Sequence, residues 1–128
     1  MTATCDILMV THDRPDYVRL SLPRLLETCD DDAAVWLWHN GEHAETLRLV
    51  REFAEHPKVT RFHHSIKNVQ LREPTNWLLG NSTADLLGKV DDDNLMPMGW
   101  LDKLRDTHAA DWSLSCVGCW TLRVEDID

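Results

Sequence analysis

Leu86-Leu87-Gly88-Lys89-Val90-Asp91-Asp92-Asp93-Asn94-Leu95-Met96-Pro97 is the stretch from which the fold is read. A short apolar run leads straight into three consecutive carboxylates. The run has the length of a buried strand. Three adjacent negative charges repel one another and cost stability unless something positive sits among them. A hard divalent cation held by oxygen ligands is the simplest such partner. At the end of a strand, the group reads as a site for a metal-bound phosphate.

The flanking segments alternate between strand and helix. Cys5–Val10 reads as a buried strand, and Asp16–Cys29 as a helix that Pro23 kinks or breaks. Ala33–Trp38 is a second strand, apolar on both faces, and Glu45–His56 an amphipathic helix with Leu47, Val50 and Phe53 on one side. Val59–His63 is a short third strand. Glu73–Asn81 is a helix that Pro74 opens at its first position. Leu86–Val90 is the fourth strand, Gly99–His108 a helix and Leu114–Leu122 a fifth strand. Such alternation makes βαβ units, hence an α/β fold with a mainly parallel sheet flanked by helices on both faces. Ligands of such sheets bind outside the carboxyl ends of the strands. The residues leaving those ends are Thr11-His12-Asp13-Arg14-Pro15, His39-Asn40-Gly41, the segment to Asn68, and Asp91–Asp93.

Composition narrows the function. A length of 128 residues suits one domain with a real core. The formal charge of -9 argues against general nucleic-acid binding, because no basic stripe is available to meet phosphates. A nucleotide is still allowed, since a metal supplies positive charge locally. No run approaches the roughly 18 apolar residues of a membrane helix, and the start has no signal-peptide pattern. The expected location is cytoplasmic, with reduced thiols. Cys116-Val-Gly-Cys119 has the spacing of half a zinc site, but its apolar surroundings read as buried free thiols. His63-His64 is a poor chelate, because neighbours on a strand point to opposite faces. Asp30-Asp31-Asp32 reads as a solvated turn. Trp36 and Trp38 share one strand face and read as core.

In their order along the chain, these segments resemble the N-terminal, donor-binding half of a family 2 glycosyltransferase of the GT-A type. The motifs are Thr11-His12-Asp13-Arg14-Pro15 after the first strand and His39-Asn40-Gly41-Glu42 after the second. Asn68, Arg72 and Asn76 follow before the fourth strand, and Asp91-Asp92-Asp93-Asn94 with Pro97 and Trp100 after it. The resemblance covers roughly residues 5 to 105. It implies a Rossmann-like nucleotide-sugar-binding domain, a nucleotide-sugar donor with UDP-sugars slightly favoured, Mg²⁺ or Mn²⁺, and sugar transfer with inversion. Carried over, Thr11, His12 and Arg14 lie around base and ribose, and Asn40 near the base. Arg72 is a phosphate partner. Asp91 approaches the ribose or the metal, Asp93 is the main metal ligand, and Asp92 takes either role. His39 stands where the family often has Asp.

The chemistry suits these residue types. Breaking a glycosyl-phosphate bond leaves a diphosphate with growing negative charge, which a metal stabilises as a Lewis acid. The acceptor hydroxyl needs a general base. In the family that base lies in a C-terminal half, so the chain reads as truncated, with Glu125 and Asp126 as a polar tail and the general base unassigned. A truncated open sheet leaves an unpaired edge, from which self-association is expected. The alternatives are a non-catalytic nucleotide- or metal-binding module and a phosphoryl-transfer or receiver-type α/β domain. The last does not account for Asn40-Gly41 or Pro97 and Trp100.

Overall fold

The computed structural model describes residues 2–111 and 113–118. The elements run β1 (Cys5–Thr11), α1 (Pro15–Thr28), β2 (Ala33–Asn40), α2 (Ala44–Ala54), β3 (Val59–Ser65), α3 (Arg72–Asn81), β4 (Leu86–Lys89) and α4 (Trp100–Ala110). Residues up to Met96 form one compact unit and residues from Pro97 a second, which contains α4.

All four strands are parallel, in the order β3-β2-β1-β4. The chain steps from β1 to β2 to β3 in one direction and then crosses back to β4. Right-handed crossovers therefore put α1 and α2 on one face of the sheet and α3 on the other. The side chains agree. Leu8, Trp36 and Trp38 project from one face and cluster with Leu78 of α3. Trp77 of α3 meets Trp36 and Trp38 edge-on, with ring centroids 5.0 and 5.5 Å apart. On the other face Ile7, Met9, Val35 and Leu37 are fully buried, as are Val18, Leu22 and Leu25 of α1 and Val50 of α2. This double cover is why β1 and β2 are apolar without alternation.

β3 is an outer strand and carries polar residues. Its register against β2 shifts between Val35 and Trp36, a bulge that lets Arg61 lie over the Trp36 ring, 4.9 Å from its centroid. His63 stacks on Trp38, whereas His64 turns to the other side and bonds the Gly41 carbonyl at 2.7 Å. The two histidines do diverge, as strand geometry requires.

Four expectations are corrected. α1 is not broken at Pro23 and continues to Thr28. A proline inside a helix costs about 3 kcal/mol, and burial of Leu22, Leu25 and Leu26 around it, at roughly 1.5–3 kcal/mol each, offsets that. Pro74 is the third residue of α3, not the first, a position whose N–H has no partner within a helix in any case. Residues 114–118 form no strand, and the remainder of the expected fifth strand lies outside the described residues. Cys116 is exposed rather than buried, and Cys119 lies outside the described residues, as do Glu125 and Asp126; the buried cysteines among the described residues are Cys5 and Cys29. At the opposite edge from the strand exits, Asp30–Asp32 is a turn in which the Asp30 carboxylate accepts from the Asp32 N–H at 3.0 Å.

Candidate functional site

The direction of strand order reverses between β1 and β4, so the exits of these two strands flank a switch point, the usual ligand crevice of an open parallel sheet. The β1 exit carries Thr11 to Arg14 and the β4 exit carries Asp91 to Asp93. Across that gap an Arg14 Nη2 donates to Asp92 Oδ1 at 2.5 Å, and Nη1 stands 3.7 Å from Asp93 Oδ2. Thr11 and the Asp turn thus share one edge.

The three aspartates are not equivalent. The Asn94 N–H donates to the Asp91 carbonyl at 3.2 Å and closes a tight turn with Asp92 and Asp93 at its tip. The Asp92 side chain points inward and is 7% exposed; Asp91 and Asp93 are 59% and 44% exposed. Burial pushes the Asp92 carboxyl above the usual range, with smaller contributions from Asp93 and Asp91, and Arg14 opposes this. Arg14 in turn is raised, chiefly by the Asp92 charge. Lys89 Nζ stands 3.4 Å from Asp91. Three identical letters thus resolve into one anchor and two outward carboxylates at i and i+2. Among the described residues no three His, Cys, Asp or Glu side chains converge as a metal cage. Two carboxylates are nonetheless a fitting donor set for Mg²⁺ or Mn²⁺, which take one or two from the protein and the rest from phosphate and water.

The neighbouring edge is built from β2. Thr11 is buried and its hydroxyl pairs with His39 Nδ1 at 2.8 Å. His39 is fully buried, and its Nε2 has no hydrogen-bond partner among the described residues. Burial first, then the positive potential of His64, His12, His43 and Arg51, lowers its pKa to about 4, so the ring is neutral at physiological pH. Asn40 is likewise buried, and both ends of its amide are bonded. Oδ1 accepts from Trp38 Nε1 at 2.9 Å and from the Val69 N–H at 3.3 Å, while Nδ2 donates to the Gln70 carbonyl at 3.0 Å. Gln70 has a positive φ of 59°, and this bond helps hold it there. Asn40 therefore shapes the loop before α3.

His12 is half-exposed, and its Nδ1 pairs with the Asn40 carbonyl at 2.9 Å. Gly41 follows with φ +88°, and a Cβ there would come within 3.2 Å of the His12 ring. Glycine is needed at this step both for its backbone and for its lack of a side chain. Arg72, at the first position of α3, is exposed, and α3 starts from the loop that Asn40 holds. Of the residues singled out from sequence, His12, Arg14, Arg72, Asp91 and Asp93 have solvent-accessible side chains, while Thr11, Asn40 and Asp92 face inward. Missed from sequence were the Arg14–Asp92 pair and the anchoring part of Asn40. Trp38 and Asn40 are two apart on one strand, hence on one face, and that spacing was the available signal for the latter.

No helix among the described residues is long and apolar enough to cross a membrane. The family model for glycosyl transferase family 2 matches residues 6–127. The fold is similar to the crystal structure of S. aureus TarS 1-349, with a TM-score of 0.70, 14% identity, and coverage of 84% of this chain and 32% of that one. It is also similar to the mannosyltransferase PcManGT from Pyrobaculum calidifontis, whose structure is in complex with GDP-Man and Mn²⁺. There the TM-score is 0.66, the identity 20%, and the coverage 85% of this chain and 31% of that one. The chain thus spans about a third of the length of these two solved structures. No curated protein matches it.

Proposed function

This chain belongs to glycosyl transferase family 2, and from that premise we propose that its parallel sheet binds a nucleotide-sugar donor at the β1/β4 switch point, for transfer of the sugar to an acceptor with inversion. The observation that carries the reading is the split of the aspartate triplet. Asp91 and Asp93 face outward from one turn while Asp92 faces in. Asp91 and Asp93 would hold Mg²⁺ or Mn²⁺, which when bound supplies Lewis-acid stabilisation of the departing diphosphate.

The chain's own residues do the remaining work. The two outward carboxylates would otherwise repel a diphosphate in a chain of net charge -9, so donor binding is coupled to cation binding. Arg72, at the first turn of α3, offers a guanidinium to a phosphate, and the N–H groups of that turn lie beside it. His12, held by the Asn40 carbonyl, forms the wall on the β1 side. The base is open between uracil, favoured slightly from sequence, and guanine, the base of the GDP-Man in the Pyrobaculum mannosyltransferase complex.

Calorimetry with UDP and GDP, each with Mn²⁺ or with a chelator, tests the proposal. A nucleoside diphosphate is expected to bind only with metal. Asp93→Ala should weaken that binding, and Asp30→Ala, at the opposite edge, should not. Equal affinity in chelator would end the metal-bridge reading.

A further inference from the structure

We infer that Arg14 is a positioning residue for the metal turn: through the inward carboxylate of Asp92 it keeps Asp91 and Asp93 turned outward. This rests on the metal-bridged donor reading above and goes beyond it, because it takes Arg14 and Asp92 away from the donor.

The geometry carries it. Asp92 sits at the tip of a four-residue turn closed by the Asn94 N–H to the Asp91 carbonyl. Turning Asp92 out would rotate both flanking residues. Arg14 is the only cation within bonding distance of Asp92 among the described residues, and its second nitrogen reaches towards Asp93. Its own base is fixed. The Arg14 carbonyl accepts from the Val18 N–H at 3.2 Å, the residue caps α1, and its guanidinium lies 4.9 Å from the centroid of the Tyr17 ring. A buried carboxylate without its cation is strongly disfavoured, so without Arg14 the turn has every reason to open. Lys89 is a useful contrast. It too pairs with one of the aspartates, but with an outward one, 3.4 Å away and exposed, where it competes with an incoming cation rather than orienting its ligands.

The sign of the effect separates this from simple electrostatics. Removing a positive charge beside a cation site should tighten cation binding if only Coulomb forces act. Removing a partner that orients metal ligands should loosen it, by on the order of 10- to 100-fold. Mn²⁺ binding is read by electron paramagnetic resonance, without nucleotide and with UDP, for the wild type, Arg14→Gln, Asp92→Asn, the double variant and Lys89→Met. Melting without metal reports folding, and where Arg14→Gln does not fold, Arg14→Lys replaces it, since a point charge cannot span Asp92 and Asp93 together. Arg14→Gln and Asp92→Asn are each expected to weaken Mn²⁺ binding, with no further loss in the double variant, as for residues acting through one another. Lys89→Met should leave it equal or tighter. Unchanged or tighter binding in Arg14→Gln would overturn the inference. So would additive losses in the double variant, which would put Arg14 directly on the ligand, or a loss in Lys89→Met equal to that in Arg14→Gln. A wild type that binds neither Mn²⁺ nor UDP would overturn the metal reading itself.

Discussion

Acidification should destabilise this protein through His39 before any catalytic question arises. The ring is fully buried at the end of β2, with Nδ1 on the Thr11 hydroxyl and Nε2 without a hydrogen-bond partner among the described residues. Its pKa is about 4 in the fold against 6.5 for an unperturbed histidine. Above pH 6.5 the ring is neutral both folded and unfolded, and stability is fully present. As the pH falls below 6.5 the unfolded chain takes up the proton first, and stability is lost until the folded ring also titrates near pH 4. Linkage then gives a loss of about 2 kcal/mol between pH 7 and pH 5, approaching about 3 kcal/mol at pH 4. Urea denaturation of the metal-free protein at pH 7, 6 and 5 measures it, against His39→Gln, which can still bond Thr11 but does not titrate. Asp92 works in the opposite sense, since its raised pKa adds stability as the pH falls. It is common to both proteins and cancels in the comparison. The wild type should lose about 2 kcal/mol more than His39→Gln from pH 7 to 5. Parallel profiles would refute the argument that a neutral buried His39 sets the acid limit.

Two further outcomes follow from the same edge and from the sheet. Asn40→Ala leaves the Trp38 Nε1–H, the Val69 N–H and the Gln70 carbonyl without their partner, so a loss of about 3 kcal/mol or more is expected by urea denaturation, and under 1 kcal/mol would show that water replaces the amide. β4 pairs only with β1 among the described residues and exposes Leu87, so light scattering should show concentration-dependent self-association that Leu87→Lys reduces; a constant monomer mass in the wild type would refute it.

The fold was legible because its signals are local. Apolar runs of strand length, each followed by polar residues, told of a parallel sheet and of the edge where its strands exit, and the positions of Thr11, Asn40 and Asp91–Asp93 on that edge followed from topology alone. What stayed hidden is set by distance or by orientation. Arg14 and Asp92 are 78 residues apart, and nothing local joins them. Which aspartate of three identical ones turns inward depends on a turn's dihedrals and on where Arg14 stands. The apolar run at Leu114–Leu122 has a strand's composition, yet residues 114–118 form none, since a strand exists only where an edge pairs with it. Pro23 misled in the other sense, because propensity yields to burial on a well-packed helix.

The reversal of strand order at β1 also dictates when the site comes into being. β1 meets β2 across a short separation, Thr11 and His39 being 28 residues apart. The β1–β4 contact closes the far longer loop that separates Arg14 from Asp92, at an entropic cost about 1 kcal/mol greater. During synthesis β1, α1, β2, α2 and β3 can assemble once Ser65 has emerged, while the aspartate turn is not yet made. The first three strands are thus a nucleus in waiting, and β4 is the late arrival that zips onto its open side. A chain caught at that stage would have three strands and the Thr11–His39 contact, but not the Asp91–Asp93 turn, nor Val69 and Gln70 on the Asn40 amide. On the metal-bridged reading proposed above, competence to bind would then report the docking of β4, and loosening of β4 alone would abolish it while β1 to β3 stood.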